Sequence, residues 1–202
     1  MSIWLIFFVL LVIIFIPLHF VSVSHIWLNK QFGEEKGALI GKLFGFLSGW
    51  GFFICLFGIW LSPQPRFQIP FLISFTLNVP ILDLEILLIH FIASSPLIII
   101  SVYLGIFGVK ETSLKVSETH RTDKIIKTGL YSKIRHPQYL GAIFAHIGFS
   151  ILFAGTYSLI LSILVIFYNY ITAWKEEKEL VKEFGEEYKT YKERVPMFIP
   201  KF

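Results

Sequence analysis

The stretch IWLIFFVLLVIIFIPL, residues 3 to 18, contains no charged side chain and decides the class of this protein. A helix needs about 20 predominantly apolar residues to cross the hydrocarbon core of a bilayer. Later stretches are as apolar, and only 16% of the 202 residues are charged, against roughly 25% in soluble domains. The stretch lacks a basic leading region and a small-residue cleavage site, so we interpret it as a retained span. The sequence therefore predicts a multi-pass membrane protein.

Apolar runs divided by polar or proline-containing connections predict five spans, at about residues 2–20, 38–61, 86–109, 137–154 and 156–174. The short sequence FAGTYS, residues 153 to 158, joins the last two spans in a tight hairpin. The charged residues after 174 are expected to continue the last span as a helix outside the membrane. The predicted fold is an all-α integral membrane protein with five transmembrane helices and a C-terminal cytosolic helical extension.

The distribution of lysine and arginine predicts the orientation of these spans. Seven such residues lie in the connection 109–136 and seven more follow residue 174, whereas the connection 62–85 has Arg66 alone. We therefore expect the C-terminus in the cytosol and the N-terminus outside.

No basic run interleaved with aromatic residues lies outside these loops, so a nucleic-acid partner is not expected.

Between Pro70 and Pro80, the sequence FLISFTLNV alternates polar with apolar residues. A period of two indicates extended backbone, and the run is too short to cross a bilayer as a helix. We expect an extended, interfacial or re-entrant segment here.

The sequence YSKIRHPQYLG, residues 131 to 141, places Arg135 and His136 at the start of the fourth span. Pro137 suits the first helical position, and the next backbone N–H groups have no acceptor within the helix. Together with the positive end of the helix dipole, these groups predict an anion site. Gly141, one turn later, lets another group approach the backbone. The alternative is a plain helix start with cations that extend to the membrane surface.

Glu177 is the unusual carboxylate of the charged tail, because it falls on the apolar face of the predicted helix. Glu176, Glu179 and Glu183 fall on another face beside lysines, and we interpret them as a solvated stripe. A carboxylate on an apolar face must be paired or hydrogen-bonded. Glu177 is therefore a candidate ligand-binding residue, and the alternative is an ordinary charged helix that flanks the membrane.

His146 and Asn169 are polar residues inside the last two predicted spans, at depths where they could meet. Polar groups inside a bilayer are candidates for function, but hydrogen bonds between helices explain many of them. We interpret this pair as structural.

Four features in order resemble the isoprenylcysteine carboxyl methyltransferases. They are TGLYSKIRHPQYLG at 128–141, a hairpin of two spans, KEEKEL at 175–180 and FGEEYKTYKERVP at 184–196. More broadly they are similar to the membrane methyltransferases that include the phosphatidylethanolamine methyltransferases. The resemblance covers about residues 120 to 200. It implies a single methyltransferase domain over 1–202, with N-terminal spans in 1–110 and a cofactor-binding core in 111–202.

The resemblance implies that S-adenosyl-L-methionine is the cofactor, without a metal, at the cytosolic ends of the last two spans. The cofactor-binding residues that it implies are Tyr131, His136, Pro137, Tyr139, Gly141, Glu176, Glu177 and Tyr188. Arg194 in the RVP sequence is similar to a substrate-side or catalytic group of the family. The residues themselves suit this cofactor: the helix start suits its carboxylate, Glu177 its ammonium, and nearby aromatic side chains its adenine. The basic loop 110–135 is expected to fold over the pocket.

The acceptor decides which residues are catalytic. A carboxylate is already ionised and needs a cation to orient it, for which Arg194 is the first candidate and Arg135 the second. An amine must lose a proton, and Glu177 is then the candidate base. The arginines favour the carboxylate of a prenylated cysteine or a similar lipidic molecule, and the short loops suit a small acceptor as well as a prenylated protein.

The alternatives are a phospholipid amine N-methyltransferase, an NADPH-dependent membrane reductase, which the paired glutamates oppose, and a non-enzymatic lipid-binding protein.

Overall fold

The computed structural model describes residues 1–69, 75–80, 84–113, 116 and 120–200, and most of these residues are helical. The elements are α1 (Ile3–Val23), α2 (His25–Phe32), α3 (Glu34–Leu61), β1 (Thr76–Val79), β2 (Leu84–Leu87), α4 (Leu88–Thr112), α5 (Pro137–Leu152), α6 (Thr156–Ile160), α7 (Ser162–Phe184) and α8 (Glu186–Arg194). A 3₁₀ turn at Gly129–Ser132 precedes α5.

Four helical segments of the described chain are long and apolar enough to cross a membrane. They are α1, α3, α4 and the segment Thr156–Phe184, which combines α6 and α7. The remaining apolar helix, α5, has 16 residues. At 1.5 Å per residue it is about 24 Å long, shorter than the roughly 30 Å hydrocarbon core. The chain is thus an integral membrane protein with four helices of spanning length, and the predicted count of five is not confirmed.

The helix ends follow from the local sequence. The Ser2 hydroxyl accepts a hydrogen bond from the Leu5 N–H at 3.2 Å and caps the start of α1. Pro137 occupies the first position of α5, and His136 before it lies outside helical geometry. Gly185 ends α7 with a positive φ of 56°, a conformation that glycine adopts without a steric penalty.

Two packed groups of helices form the bundle. In the first, α1, α3 and α7 enclose an apolar core that includes Leu5, Val12, Phe52 and Val165. In the second, α4 lies against α5. A Cβ added at Gly141 would meet the Ser101 carbonyl oxygen at 3.2 Å. Gly141 therefore lets α4 approach α5 closely, in the manner of small residues between membrane helices.

The segment between α3 and α4 contains a short antiparallel hairpin. Thr76 pairs with Leu87, and Val79 pairs with Leu84. The structure confirms the extended conformation predicted from the alternating sequence for Thr76–Val79, while residues 70–74 of the predicted segment lie outside the described residues. This hairpin and an isolated bridge between Arg66 and Gly155 depart from the predicted all-α fold.

The tight turn predicted between the last two apolar segments is confirmed. Ala154 adopts a φ of 53°, and Thr156 already begins α6. The backbone N–H of Phe67 donates to the Ala154 carbonyl at 2.9 Å, and that of Thr156 donates to the Pro65 carbonyl at 3.0 Å. The segment after α3 thus holds this turn in place.

His146 is structural, but its predicted partner was wrong. The Trp60 indole donates to Nδ1 of His146 at 3.3 Å, and Nε2 lies 2.9 Å from the Ser158 carbonyl oxygen. Asn169 instead donates to the Val165 carbonyl of its own helix at 2.8 Å. Both side chains therefore have hydrogen-bond partners without contacting each other.

The ends of α1, α4 and α7 and the starts of α3 and α5 meet at one end of the bundle, which we call the polar end. There the Ile26 N–H donates to the Glu179 carboxylate at 2.9 Å, and the Arg121 guanidinium donates to the Asn29 side chain at 3.0 Å. The Glu179 side chain is only 8% exposed and that of Glu176 only 19%. The predicted solvated stripe is therefore wrong for these two residues, because α2 and the 120–135 segment cover that face of α7.

Candidate active site

A polar cavity lies at the polar end, between the start of α5, the last turns of α7, and α8. The cavity volume is about 100 Å³, and the unfilled space with the open mouth counted is about 740 Å³. Its polar lining includes His120, Arg135, His136, Tyr139 and Glu176, and its apolar lining includes Ile125, Ile126 and Leu180. Thr122, Lys124, Ile125 and Ile126 of the basic connection form part of the wall, as the sequence predicted for this loop.

Glu177 lies behind this cavity rather than in its lining. Its side chain is fully buried, and one carboxylate oxygen lies 2.6 Å from Nε of Arg135 and 3.2 Å from Nε2 of His136. The other oxygen lies 2.8 Å from the ammonium of Lys192. Because a carboxylate on an apolar helix face must be paired, the chain itself supplies the partners. Arg135, His136 and Glu177 meet as the sequence analysis required, but they bind one another.

At the start of α5, Arg135 and His136 are bound by the protein's own groups, namely the Glu177 carboxylate and backbone carbonyls of the C-terminal segment. The C-terminal segment runs beside this helix start, where the N–H groups of Arg135 and His136 donate to the carbonyls of Pro196 and Met197 at 2.9 and 3.2 Å. The Arg135 guanidinium also donates to the carbonyls of Lys192, at 2.9 Å, and Val195. Arg135 thereby fixes the C-terminal segment against α5.

Glu176 is the glutamate that lines the cavity. One oxygen lies 3.8 Å from Nδ1 of His120, and the other lies 3.6 Å from Nδ1 of His136. These distances are too long for strong hydrogen bonds. A partly exposed carboxylate with loose contacts to two imidazoles can still accept hydrogen bonds from a bound molecule.

Tyrosine side chains form the aromatic part of the cavity lining: Tyr131, Tyr139, Tyr188 and Tyr191. Burial raises the pKa of the Tyr188 and Tyr191 phenols, with the nearby Glu177 charge acting in the same direction. Both phenols therefore stay neutral at physiological pH. Tyr191 donates to the Tyr131 carbonyl at 2.6 Å, and this bond ties α8 to the segment before α5. The rings offer apolar faces against which a planar ligand group can stack.

A second, larger space, which we call the apolar chamber, lies inside the bundle. It contains about 1180 Å³ of unfilled space with its mouth counted, and it is lined by residues of α1, α3, α4, α5 and α7. Small residues on three helices create the space: Gly45, Gly49, Gly105, Gly141, Ala142 and Ala145. A Cβ added at Gly49 or Gly105 would meet nothing within 4 Å. Since α3 and α4 make little direct contact in the part described, the chamber lies beside a gap in the bundle wall.

His120, Gln138 and Tyr139 line both spaces. The Tyr139 hydroxyl lies 3.4 Å from Nδ1 of His120, and the Tyr139 ring stacks on His136 with centroids 5.4 Å apart. The Gln138 amide donates to the Thr112 hydroxyl at 3.0 Å and to the Tyr131 hydroxyl at 3.1 Å. We call these three residues the shared wall, because a molecule in the polar cavity and one in the apolar chamber would meet there.

The other residues predicted at the site have different positions. Pro137 is buried at the first turn of α5, and Gly141 lines the apolar chamber and faces α4. Arg194 is the last residue of α8, is exposed, and lines a separate surface cleft with Lys127 and Glu187. It does not line the polar cavity as the structure describes it, because the chain turns at Val195 towards α5.

Reasoning from the sequence missed His19, His120, Gln138 and Lys192. Nothing in the sequence distinguishes Lys192 from the other lysines of the tail, because its partner Glu177 lies on a different helix. His19 carried a usable signal, since it is the one imidazole within the first apolar run and polar groups inside a span are candidates for function. His120 had no helical pattern around it to reveal its position.

Comparison with known proteins gives one family and several relatives. The family of phospholipid methyltransferases matches residues 87–187. Methanethiol S-methyltransferase 1 of Bradyrhizobium diazoefficiens is 34% identical over 96 residues, which are 47% of this chain and 33% of that protein. Protein-S-isoprenylcysteine O-methyltransferase of Saccharomyces cerevisiae is 39% identical over 77 residues, 38% of this chain and 32% of the relative. The mouse protein of that name is 32% identical over 85 residues, 42% of this chain and 30% of the relative.

The chain thus covers about a third of the length of the curated relatives it matches. No solved structure matches it. The matched region contains α4, α5, α7 and the glutamate pair, and it therefore includes most of the polar cavity and part of the apolar chamber.

Proposed function

This chain belongs to the phospholipid methyltransferase family, and from that premise we propose that it transfers a methyl group from S-adenosyl-L-methionine to an acceptor held in the membrane. The donor binds in the polar cavity, and the acceptor places its apolar part in the apolar chamber. The shared wall of His120, Gln138 and Tyr139 carries this proposal, because it brings a water-accessible site and an intramembrane site together.

The residues of the polar cavity suit S-adenosyl-L-methionine. Glu176 is a partly exposed carboxylate with loose internal contacts, suited to the ammonium or the ribose hydroxyls. Tyr131, Tyr188 and the nearby isoleucines supply faces for the adenine, and Lys124 supplies a cation for the carboxylate. When bound, the cofactor supplies a sulfonium methyl group that a nucleophile can attack directly.

The protein's own contribution is positioning and exclusion of water. Arg135 and Glu177 hold α5, α7 and the C-terminal segment together, so the cavity walls keep their separation. We assign these two residues to the framework of the site. Arg194 remains a candidate for contact with a part of the acceptor outside the membrane, since it is exposed at the polar end.

The acceptor of this proposal has an apolar tail. The relatives' names specify methylation at oxygen of isoprenylcysteine and at sulfur of methanethiol, and the family name specifies phospholipids. A chamber with mostly apolar walls beside the gap between α3 and α4 suits a prenyl or acyl chain that arrives from the bilayer. The carboxylate of a prenylated cysteine and the amine of a phospholipid both fit this description.

The polar end faces the cytosol in this proposal. It carries the lysine- and arginine-rich connection and tail, which are retained on that side of a membrane. Met1 lies at the start of α1, and α1 ends at the polar end. One crossing by α1 therefore places the N-terminus outside.

Replacing Gly105 by phenylalanine tests the chamber. Gly105 lines it and has room for a side chain, so the ring fills space that the acceptor tail needs. We expect transfer of labelled methyl from S-adenosyl-L-methionine to long-tailed acceptors to fall about 10- to 100-fold, with unchanged cofactor affinity. Ile106→Phe places the same ring at the next position, which is 60% exposed on the outside of α4, and is the control. Equal rates for both variants would contradict the proposal.

A further inference from the structure

Two buried histidines line the apolar chamber next to the shared wall. His19 comes from α1 and His120 from the segment before α5, and they are 7% and 5% exposed. Their rings contact each other edge to face, with centroids 4.9 Å apart. Nε2 of each ring is buried and has no hydrogen-bond partner among the described residues. A buried polar atom without a partner is destabilising, so two such atoms beside a cavity indicate a bound group.

The surroundings of His19 determine which of its nitrogens carries the proton. The Ser48 hydroxyl donates its single proton to the Phe44 carbonyl oxygen. Ser48 must therefore accept a hydrogen bond from Nδ1 of His19, which lies 2.9 Å away. Nδ1 carries the proton, and Nε2 is left as a lone pair. His19 thus presents a hydrogen-bond acceptor.

His120 presents the same kind of atom. Its Nδ1 lies 3.8 Å from the Glu176 carboxylate and 3.4 Å from the Tyr139 hydroxyl. The Tyr139 hydroxyl donates to the Glu176 carboxylate, and its oxygen can then accept from Nδ1 of His120. These contacts favour a proton on Nδ1 and a lone pair on Nε2. His120 also adopts a φ of 53°, a left-handed conformation that surrounding contacts must stabilise in a non-glycine residue.

Unpaired imidazole nitrogens alone do not make a site. His25 and His90 also have one or more buried nitrogens without a hydrogen bond in the described part of the chain. Neither of them lines the polar cavity or the apolar chamber. His19 and His120 combine the unpaired nitrogen with a place on a cavity wall, and for His120 that wall faces both spaces.

We propose that His120 receives the proton of the methyl acceptor while His19 accepts a hydrogen bond from it, and that the acceptor is a protic nucleophile, a thiol or an amine, rather than a carboxylate. This inference rests on the proposed function. Two lone pairs favour a group that donates hydrogen bonds, whereas an ionised carboxylate would bring only further lone pairs to them. The inference therefore replaces the carboxylate acceptor that the arginines of the sequence favoured.

The acceptor's S–H or N–H bond breaks, its proton goes to Nε2 of His120, and its electron pair forms the new bond to the methyl carbon. The electrons of the sulfonium S–C bond remain on the donor's sulfur. Glu176 stabilises the positive charge that His120 gains. Tyr139, His19 and Glu176 are the titratable groups that face His120, and Tyr168 packs on His19.

The test uses three acceptors with one apolar tail, namely dodecanethiol, dodecylamine and dodecanoate, and a membrane lipid extract. The purified full chain receives methyl-labelled S-adenosyl-L-methionine, and products are treated with base. Methyl esters release methanol in base, whereas S-methyl and N-methyl products keep their label. We expect base-stable label on the thiol or the amine, and in the extract, with none on dodecanoate. The thiol and amine arms show which nucleophile the site prefers.

His120→Gln is the variant that tests the proposed base, because a glutamine side chain still forms hydrogen bonds but does not take up the proton. We expect the rate at neutral pH to fall about 10²- to 10⁴-fold and to recover as rising pH ionises a thiol acceptor. Affinity for S-adenosylhomocysteine should stay unchanged. A second readout needs no cofactor: thiolate absorbance should appear when dodecanethiol binds the wild type and be absent in the variant. His25→Gln, which changes a histidine outside both cavities, should behave as the wild type.

The outcomes distinguish failure of this inference from failure of the proposed function. Base-labile label on dodecanoate or in the extract, or a His120→Gln variant with the wild-type pH profile, overturns this inference and leaves methyl transfer intact. Label in none of the acceptors and none in the extract overturns the proposed function as well.

Discussion

Glu177→Ala is expected to lower the free energy of unfolding by about 3–5 kcal/mol. The substitution leaves Arg135, only 7% exposed, without its carboxylate, and it also removes the partner of Lys192. Removing one member of a buried ion pair is strongly destabilising because the other charge stays buried without compensation. Equilibrium unfolding in mixed micelles measures the change, and proteolysis of the C-terminal segment should become faster, since Arg135 holds that segment.

Glu186→Ala is the control for this prediction. Glu186 pairs with Lys189 at 2.5 Å, but its side chain is 84% exposed, and exposed pairs contribute about 0–1 kcal/mol. A Glu177→Ala protein as stable as Glu186→Ala would show that the buried cluster does not hold α5, α7 and the C-terminal segment together.

The neighbouring substitution Glu176→Gln is expected to act on ligand binding instead of stability. Glu176 lines the polar cavity, and its contacts to His120 and His136 are 3.8 and 3.6 Å long. Hydrogen bonds to a charged group contribute about 1.5–3 kcal/mol, so we expect the dissociation constant of S-adenosyl-L-methionine to rise about 10- to 100-fold. Isothermal titration with the purified protein measures this constant.

Substitution of Glu177 is thus expected to change stability, and substitution of the adjacent Glu176 to change cofactor affinity. Each variant is therefore the other's control. Glu176→Gln should unfold at nearly the wild-type temperature. If Glu176→Gln bound the cofactor with wild-type affinity, the carboxylate that faces the cavity would have no role in binding it.

The family resemblance was sufficient to bring His136 and Glu177 together, while proline geometry and the apolar helix face singled out each residue only within its own helix. It was insufficient to show which glutamate faces a ligand. Residues 176 and 177 are about 100° apart around a helix, and their environments depend on Lys192 and the C-terminal carbonyls, which come from other segments. Long-range partners of this kind leave no local pattern.

The predicted number of spans is not confirmed, for a related reason. Hydropathy predicted a fifth span over 137–154, but α5 ends at Leu152 and the turn at Ala154 follows. Burial against α4 and α7 accounts for its apolar residues as well as lipid contact would. Hydropathy alone does not distinguish a helix buried by protein from one exposed to lipid.

The central claim is that the polar cavity holds the methyl donor beside the shared wall. A structure of the full chain with S-adenosylhomocysteine tests it most directly. The account predicts the ligand in the polar cavity, with Glu176 on its ribose or ammonium and its sulfur next to His120 and Tyr139. A ligand bound elsewhere, or NADPH in that cavity where S-adenosylhomocysteine fails to bind, would contradict it.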